Sequence, residues 1–351
     1  MKYYLKEEFL HDVNAKNAGN KARNDVESIV KEEGYHPLVL SVDNWYQMGT
    51  LAAQRHKAKA FGQALDQLKQ GDELLIQFPM LHHSFFSTHL VKKAQKRGIK
   101  VYLLIHDLEV LRHANMTSLP LKHRIRMYLQ EASFLKAADG IIAHNPVMKS
   151  VLVDKGIAED KIVSLGIFDY LIPNFQEKSG QTKDQPIIVA GNLAQEKAGY
   201  LYGLPAEPAY NLYGVGFDES RALENETYFG SFLPDELPVA LEGGFGLVWD
   251  GDSSKTCSGV FGEYLRYNNS HKASLYLAAG FPLVVWRQSA LSHFVLEKEC
   301  GVAVESLHEL SQVIEELTLD DYQTLLENTK RVGKEIREGY YLRTALKQLS
   351  L

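Results

Sequence analysis

Lys272 is the residue whose type and position most clearly indicate chemistry in this chain. It follows three candidate N-cap residues, Asn268, Asn269 and Ser270, and lies in the first turn of a helix predicted at 271–279. In the first turn of a helix, the dipole disfavours a cation by a few tenths of a kcal/mol, up to about 1. A bound phosphate reverses that sign, because a charge-assisted hydrogen bond contributes roughly 1.5–3 kcal/mol. We therefore interpret Lys272 as a phosphate ligand, and the alternative is that it points into water.

His106 and Asp107 form a second candidate group, at the end of a strongly apolar segment. Titratable residues at the carboxyl end of a strand are well placed for acid–base catalysis. The alternative is structural: Asp107 caps the following helix, and His106 pairs with a backbone carbonyl.

The segment Asn17-Ala18-Gly19-Asn20-Lys21 precedes the first clear helical pattern. A glycine lets the backbone approach a ligand, and the amides that follow then face it. Neither the dinucleotide-binding fingerprint nor the P-loop pattern is present. The segment is thus a candidate ligand loop, with an N-capped surface turn as the alternative.

Gly191 and Asn192 follow an apolar strand in the second half of the chain, and Lys197 lies shortly after them. This again places a flexible backbone and a cation at a strand end. Tyr213 ends the next apolar strand, where its ring is suited either to stacking on a base or to core packing.

No pattern in the sequence demands a metal ion. The adjacent side chains of His82 and His83 diverge, which makes them poor joint ligands. Asp250-Gly251-Asp252 is as readily a turn as a metal site.

These residues lie in a chain that alternates apolar strands with helical segments. Strands are predicted at 37–42, 73–78, 100–106, 140–143, 187–190, 210–213, 245–249, 283–286 and 302–304. The alternation predicts an α/β protein with two doubly wound parallel sheets, whose ligands bind at the carboxyl ends of the strands. The polar stretch 173–186 carries two prolines and is the predicted linker between domains 1–172 and 187–338.

Composition limits the possible functions. The 351 residues are 45% apolar and carry a net charge of −6, so no general attraction to nucleic acid or to an anionic membrane is expected. Two cysteines, Cys257 and Cys300, cannot form a disulfide framework. The N-terminus lacks the apolar core of a signal peptide, and no apolar run is long enough to span a membrane. A cytoplasmic location is expected.

Five segments together resemble one bacterial family of two-domain GT-B glycosyltransferases. This family includes the glucosyltransferase that acts as third accessory enzyme in glycosylation of serine-rich repeat adhesins, and related galactofuranosyltransferases. The segments that carry the resemblance are NAGNKARN (17–24), IHDLEVLR (105–112), AGNLAQEKAGYL (190–201), GGFGLVWD (243–250) and 267–286.

The resemblance implies two GT-B domains facing across a cleft, with a final helix (339–351) that returns to the N-terminal domain. A UDP-sugar would bind mainly to the C-terminal domain, with Lys272 at its diphosphate, Tyr213 near the uridine and Gly19 in the loop that closes from the other domain. At Lys197 the adhesin-modifying enzymes carry arginine. The implied donor residues are Lys272, Lys197, Asn268, Asn269, Ser270, Tyr213, Gly191 and Asn192, and the implied loop residues are Asn17, Gly19, Asn20 and Lys21.

The implied reaction transfers a hexose from a UDP-sugar to N-acetylglucosamine that is O-linked to a serine-rich repeat glycoprotein. Glucose is the first candidate for this hexose. The resemblance implies that no bound metal is needed. It also implies a homo-oligomer, such as a tetramer. If the reaction inverts configuration, Asp107 is the expected base, with His106 second; retention requires no strict base. The alternatives are a galactofuranosyl- or N-acetylglucosaminyltransferase of surface glycan synthesis and a non-catalytic glycan-binding subunit.

Overall fold

The computed structural model describes residues 1–8, 18–43, 45–113 and 120–349, with the backbone alone at 18, 19, 121–126, 128 and 129. The chain forms two units. The first comprises Met1–Ala15, Arg23–Leu165 and Leu342–Leu351, and the second comprises Lys16–Ala22 and Gly166–Tyr341.

A parallel sheet forms the centre of the first unit. Its strands are β1 (Lys2–Glu8), β2 (His36–Ser41), β3 (Glu73–Phe78), β4 (Lys100–Ile105), β5 (Gly140–Ala143) and β6 (Ile162–Ser164). The helices are α1 (Ala18–Glu32), α2 (Thr50–Leu65), α3 (Ser87–Lys96), α4 (Glu109–Arg112), α5 (Leu121–Ala137) and α6 (Pro146–Asp154). The six strands are ordered β2-β1-β3-β4-β5-β6.

A second parallel sheet forms the centre of the other unit. Its strands are β7 (Ile187–Asn192), β8 (Tyr210–Val215), β9 (Glu226–Tyr228), β10 (Phe245–Val248), β11 (Leu283–Trp286) and β12 (Gly301–Val304). The helices are α7 (Gln195–Ala198), α8 (Leu237–Ala240), α9 (Gly259–Tyr264), α10 (His271–Ala279), α11 (Leu291–Glu297), α12 (Leu310–Glu316) and α13 (Leu319–Arg337). The last helix, α14 (Tyr340–Gln348), belongs to the first unit from Leu342 onward. The strands are ordered β12-β11-β10-β7-β8-β9.

The prediction of two parallel α/β sheets is therefore confirmed. All nine predicted strands exist, and β3, β5 and β11 have the predicted bounds. Strands buried on both faces read as continuous apolar runs, which is why they are visible in the sequence. The linker stretch 173–186 contains neither a helix nor a strand.

Three strands were missed. In β1 only Tyr4 and Leu5 are buried, so its sequence KYYLKEE shows no apolar run although it lies between β2 and β3. The other two, β6 and β9, are three residues long and stand at sheet edges, where local sequence carries little signal.

Helix α10 is tied to the centre of the second sheet. It has the predicted bounds, and it ends at Gly280 in the left-handed conformation (φ 94°). Its Tyr276 packs on Gly246 of β10, where an added Cβ would lie 2.2 Å from the ring. The Tyr276 hydroxyl accepts the N–H of Ala190 on β7 at 2.6 Å. One side chain thus fixes α10 against both β7 and β10.

Gly246→Ala is expected to lower the free energy of unfolding by about 1–3 kcal/mol, because Tyr276 must shift to admit the methyl group. Urea denaturation measures this. The control is Gly62→Ala in α2, where an added Cβ meets only Leu90 at 3.7 Å. This control should match the wild type or exceed it by up to about 1 kcal/mol. Equal stability of both variants would contradict the proposed packing.

Candidate active site

The second sheet reverses its strand order between β7 and β10. Strands β8 and β9 lie beyond β7, whereas β11 and β12 lie beyond β10. In open α/β sheets, ligands bind outside the carboxyl ends of the strands at such a switch point. The residues at the carboxyl ends of β7 and β10 are therefore the candidate ligand site.

Lys272, the second residue of α10, lies at this switch point. Its Nζ donates to Asp250 Oδ1 at 2.8 Å and to the Trp249 carbonyl at 2.9 Å, both just after β10. Its stem passes close to Gly191 of β7, where an added Cβ would lie 3.7 Å from Lys272 Cδ. Only 15% of the Lys272 side chain is exposed. The alternative that Lys272 points into water is therefore wrong.

The loop that follows β10 also joins Lys197 to the switch point. The N–H of Gly251 donates to the Lys197 carbonyl at 2.7 Å. The Lys197 Nζ lies 5.3 Å from the centroid of the Phe261 ring, a cation–π distance. Lys197 and Lys272 thus contact neighbouring residues of one loop.

The carboxyl end of β7 requires glycine. Gly191 has φ 126°, and a Cβ on Gly214 of β8 would lie 1.8 Å from the Gly191 carbonyl oxygen. Asn192 accepts the N–H of Ala194 at 3.0 Å through its own side chain. The two predicted residues Gly191 and Asn192 therefore shape the backbone beside Lys272.

The residues before α10 leave its first turn without a side-chain cap. Ser270 occupies the predicted N-cap position, but its hydroxyl accepts no helical N–H. Asn269 donates to the Gly166 carbonyl at 2.6 Å, and the buried Oδ1 of Asn268 has no hydrogen-bond partner among the residues that the structure describes. Uncapped N–H groups at a helix start favour an anion.

Tyr213 is fully buried. Its ring stacks on Phe229 with centroids 4.9 Å apart, and its hydroxyl accepts the N–H of Glu242 at 3.2 Å. These contacts are core packing, which is one of the two roles that the sequence suggested for Tyr213. A place near the uridine stays a prediction.

Gly19, Asn20 and Lys21 do not form the predicted loop, because α1 already begins at Ala18. The first turn of a helix tolerates glycine and asparagine, since its N–H groups need no intrahelical partner. Lys21 donates to the Leu171 carbonyl at 2.7 Å and forms an ion pair with Asp235 at 2.9 Å. Asn17 lies outside the described residues.

His106 and Asp107 lie at the carboxyl end of β4 in the first unit, as predicted. His106 Nε2 lies 2.7 Å from Gln77 Oε1, and Asp107 forms an ion pair with Arg112 at 2.6 Å. Asp107 does not cap α4, because Glu131 accepts the N–H groups of Glu109 and Val110 there. Burial raises the pKa of Glu131 to about 7. The catalytic roles of His106 and Asp107 stay predictions.

The first sheet has its own switch point, between β1 and β3. Glu7 of β1 accepts the N–H groups of Leu81 and His82 at 2.9 and 2.8 Å. Arg23 donates to the Pro79 carbonyl at 2.6 Å and lies 4.0 Å from Glu7. Burial raises the pKa of the Glu7 carboxyl, against the opposing effects of these N–H groups and of Arg23.

Within the described ranges, no group of three His, Cys, Asp or Glu side chains is arranged to hold a metal ion. Both cysteines are buried thiols. Metal independence of the reaction remains a prediction.

Family models match nearly the whole chain. Residues 2–167 match the N-terminal domain described as glucosyltransferase 3-like, and residues 187–349 match the corresponding C-terminal domain. The beta-1,6-galactofuranosyltransferase WbbI of Escherichia coli (strain K12) is 33% identical over 97% of each chain. Glucosyltransferase 3 of Streptococcus gordonii is 26% identical over 93% of this chain and 92% of its own.

The chain belongs to the glucosyltransferase 3-like family.

It is an enzyme of the glycosyltransferase class, and its fold is GT-B. The sucrose-phosphate synthase of Thermosynechococcus elongatus superposes with a TM-score of 0.61 at 13% identity, covering 99% of this chain and 97% of that one. HepE of Anabaena, solved with UDP, superposes with a TM-score of 0.55 at 12% identity over both whole chains. In the described part of the enzyme, no helix is both long and apolar enough to cross a membrane.

Sequence reasoning missed three residues at the carboxyl ends of the first sheet: Glu7, Arg23 and His144. His144 directly follows the apolar strand β5, so the strand-end rule applied to His106 would have found it. Glu7 was hidden because β1 was not predicted. Arg23 lies inside a helix, and only the packing of α1 brings it to Glu7.

Asp250→Asn is expected to lower the free energy of unfolding of the enzyme by about 2 kcal/mol, because the Lys272 ammonium loses its carboxylate partner and keeps only the Trp249 carbonyl as a strong acceptor. The matched control is Asp252→Asn, an exposed carboxylate two residues further along the same loop. Urea unfolding of both variants provides the measurement. A loss no larger than that of Asp252→Asn would show that the pair does not stabilise the fold.

Acid should destabilise the first unit through His144. Burial lowers its pKa to about 4 from an ordinary 6.5, although Asp107 and hydrogen bonds to the backbone of Ile105 and His106 act in the opposite direction. The unfolded chain therefore binds a proton that the fold excludes. This contribution to stability is complete above about pH 6.5 and is lost as the pH falls towards 4, by up to about 1.4 kcal/mol per pH unit.

His144→Gln should flatten the dependence of unfolding free energy on pH between about 6.5 and 4, relative to the wild type. The control is His89→Gln, at an exposed position of α3. Chemical denaturation at a series of pH values decides the matter, and an unchanged slope in His144→Gln would refute the assignment.

Proposed function

We propose that the enzyme transfers a hexose from a UDP-sugar, and that Lys272 holds the donor diphosphate. The observation that carries this proposal is the position of Lys272 at the switch point of the second sheet, half-enclosed by β7 and the loop after β10. Lys197 contacts the same loop through its main-chain carbonyl, and its ammonium is proposed as a second cation for the donor.

The chemistry of the site suits a leaving diphosphate. Negative charge develops on the diphosphate as the bond to the sugar breaks, so fixed cations and helix amides lower the barrier most at that point. Lys272 is already oriented by Asp250 and Trp249, and the first-turn N–H groups of α10 are free of a side-chain cap. A diphosphate carries more negative charge than Asp250 and would compete with it for the ammonium.

UDP as the nucleotide of the sugar donor is supported by the similarity in fold to HepE, whose structure contains UDP. Asn268, with its unpartnered Oδ1, and Asn269 lie just before α10 and are proposed to line the donor pocket. In the first unit, Asp107 is the proposed base of an inverting reaction and His106 the second candidate. We expect no bound metal to be required, and we expect a cytoplasmic homo-oligomer.

Two hexoses are candidates. Glucose as the sugar is supported by the description of both family models, and O-linked N-acetylglucosamine on a serine-rich repeat glycoprotein is the proposed acceptor for it. Galactofuranose, transferred into a surface glycan, is supported by a higher identity to WbbI (33%) than to glucosyltransferase 3 (26%). The donor machinery described above serves both reactions.

Lys272→Ala should reduce turnover at least about 100-fold and weaken UDP binding about 10-fold or more, because a charge-assisted contact to the diphosphate is lost. Calorimetry with UDP and a radiolabelled transfer assay measure the two effects. Lys255→Ala, at an exposed lysine of the same unit, is the control and should retain both.

The same assay offers UDP-glucose and UDP-galactofuranose in parallel, with an N-acetylglucosamine-bearing peptide and a free N-acetylglucosaminide as acceptors. Added EDTA should leave the rate unchanged. If Lys272→Ala binds UDP as the wild type does, the donor site is elsewhere; if the wild type binds no UDP at millimolar concentration, a non-catalytic glycan-binding role is favoured.

A further inference from the structure

The net charge of −6 conceals an uneven distribution of charge between the two units. The first unit carries 23 Lys and Arg against 18 Asp and Glu, a net charge of +5, whereas the second carries 15 against 26, a net charge of −11. The expectation of no electrostatic attraction to anionic surfaces, drawn from the whole chain, therefore does not hold for the first unit taken by itself.

The positive charge of the first unit is concentrated on three neighbouring helices. Right-handed crossovers from β2 to β3, β4 and β5 place α2, α3 and α5 on one face of the sheet. Helix α2 packs on α3, and α3 packs on α5, where Thr88 and Ser133 are hydrogen bonded at 3.0 Å. The basic residues of these helices are Arg55, Lys57, Lys59, Lys92, Lys93, Lys96, Lys122, Arg124, Arg126 and Lys136.

A single acidic residue, Glu131, belongs to the same three helices, and it is buried against the backbone of α4. The exposed cations of α2 and α3 are Arg55, Lys59, Lys92, Lys93 and Lys96. Within the described residues, none of these five lies within ion-pair distance of a carboxylate. These five positive charges are thus available to an anionic partner.

Large apolar side chains are exposed at the starts of α2 and α3. Tyr46, Met48, Leu51, Phe85 and Phe86 are between 38% and 58% exposed. Tyr46 and Met48 belong to the segment that enters α2, and Leu51 is the second residue of that helix. Phe85 and Phe86 directly precede α3.

These two apolar segments are held together rather than loosely attached. The N–H of Phe85 donates to Gln54 Oε1 at 3.0 Å, one turn of α2 beyond Leu51. Lys57 lies 3.6 Å from the centroid of the Trp45 ring, which fixes the segment carrying Tyr46. The result is an ordered apolar patch beside a cationic helical face.

We propose that this surface, formed by Tyr46, Met48, Leu51, Phe85 and Phe86 with the cations of α2 and α3, docks on an anionic lipid bilayer. Cationic side chains are attracted to anionic headgroups, and aromatic and aliphatic side chains enter the boundary between headgroups and acyl chains. Nucleic acid would engage the cations, but it gives no reason to expose Leu51 and Met48 beside them. The proposal does not depend on which sugar is transferred.

The test is flotation of the full chain with phosphatidylcholine vesicles, with and without about 30% phosphatidylglycerol, at low salt and at about 0.5 M NaCl. Binding is expected with the anionic vesicles at low salt and should fall at least about 10-fold at high salt. Lys92→Glu/Lys93→Glu should reduce binding about 10-fold or more, since each cation near an anionic surface contributes several-fold to the partition coefficient. Leu51→Ser/Phe85→Ser should reduce it several-fold at unchanged net charge.

The matched control is Lys31→Glu/Lys347→Glu, which changes the net charge equally. Both lysines are exposed; Lys31 belongs to α1, which the crossover from β1 to β2 places on the other face of the sheet, and α14, which carries Lys347, reaches α1 through Arg343 and Glu32. This control should float as the wild type does. Circular dichroism and UDP binding verify that every variant is folded.

Three results would overturn the proposal. The first is equal flotation of the wild type with neutral and anionic vesicles, or of the Lys92/Lys93 variant and its control. The second is binding to a single-stranded oligonucleotide that depends on Lys92 and Lys93 without any anionic-vesicle binding. The third is a change of oligomeric state, measured by sedimentation, on Leu51→Ser/Phe85→Ser without loss of flotation, which would assign the patch to a second copy of the chain.

Discussion

The ion pair between Lys272 and Asp250 is the interaction on which the organisation of the second unit depends. A lysine in the first turn of a helix and 15% exposed is unfavourable by itself, because both the helix dipole and desolvation oppose its charge. Asp250 directly follows β10, and its Oδ1 lies 2.8 Å from the Lys272 Nζ, so its negative charge offsets this cost. The close packing of Tyr276 on Gly246 then keeps α10, and with it Lys272, at the reversal of strand order.

The first unit repeats this arrangement in a different form. There too a carboxylate at the end of a central strand, Glu7, faces a basic residue of a neighbouring helix, Arg23, at the strand-order reversal. Glu7 additionally accepts two backbone N–H groups, and so it organises the segment after β3 that leads to Phe85 and Phe86. Breaking a buried pair of this kind destabilises the fold, because it leaves the remaining charge without its partner.

Charge is also divided between the units in a way that a single net value does not show. In the acidic second unit, Lys272 contacts the loop after β10 through its ammonium, and Lys197 contacts the same loop through its main-chain carbonyl. The basic first unit spreads its cations over α2, α3 and α5. Local placement of charge, and not the total, decides which anionic partners each unit is able to bind.

The sequence by itself determined the strands buried on both faces, the bounds of α10 and the position of Lys272 in its first turn. Each of these depends on local patterns: apolar runs, cap residues and a terminating glycine. The family was likewise recognisable from motifs that remain contiguous in the chain. Strand β1 was not predicted from the sequence, because its place in the sheet depends on pairing with β2 and β3 and not on its own composition.

Only the tertiary structure decided what Lys272 and Asp107 contact. The partner of Lys272 lies 22 residues away in the sequence, and the capping role considered for Asp107 is filled by Glu131 from another helix. The pairing of Glu7 with Arg23 and the gathering of three basic helices on one face are likewise non-local. Contacts between residues far apart in sequence follow from sheet order and crossover direction, for which a single sequence contains no local signal.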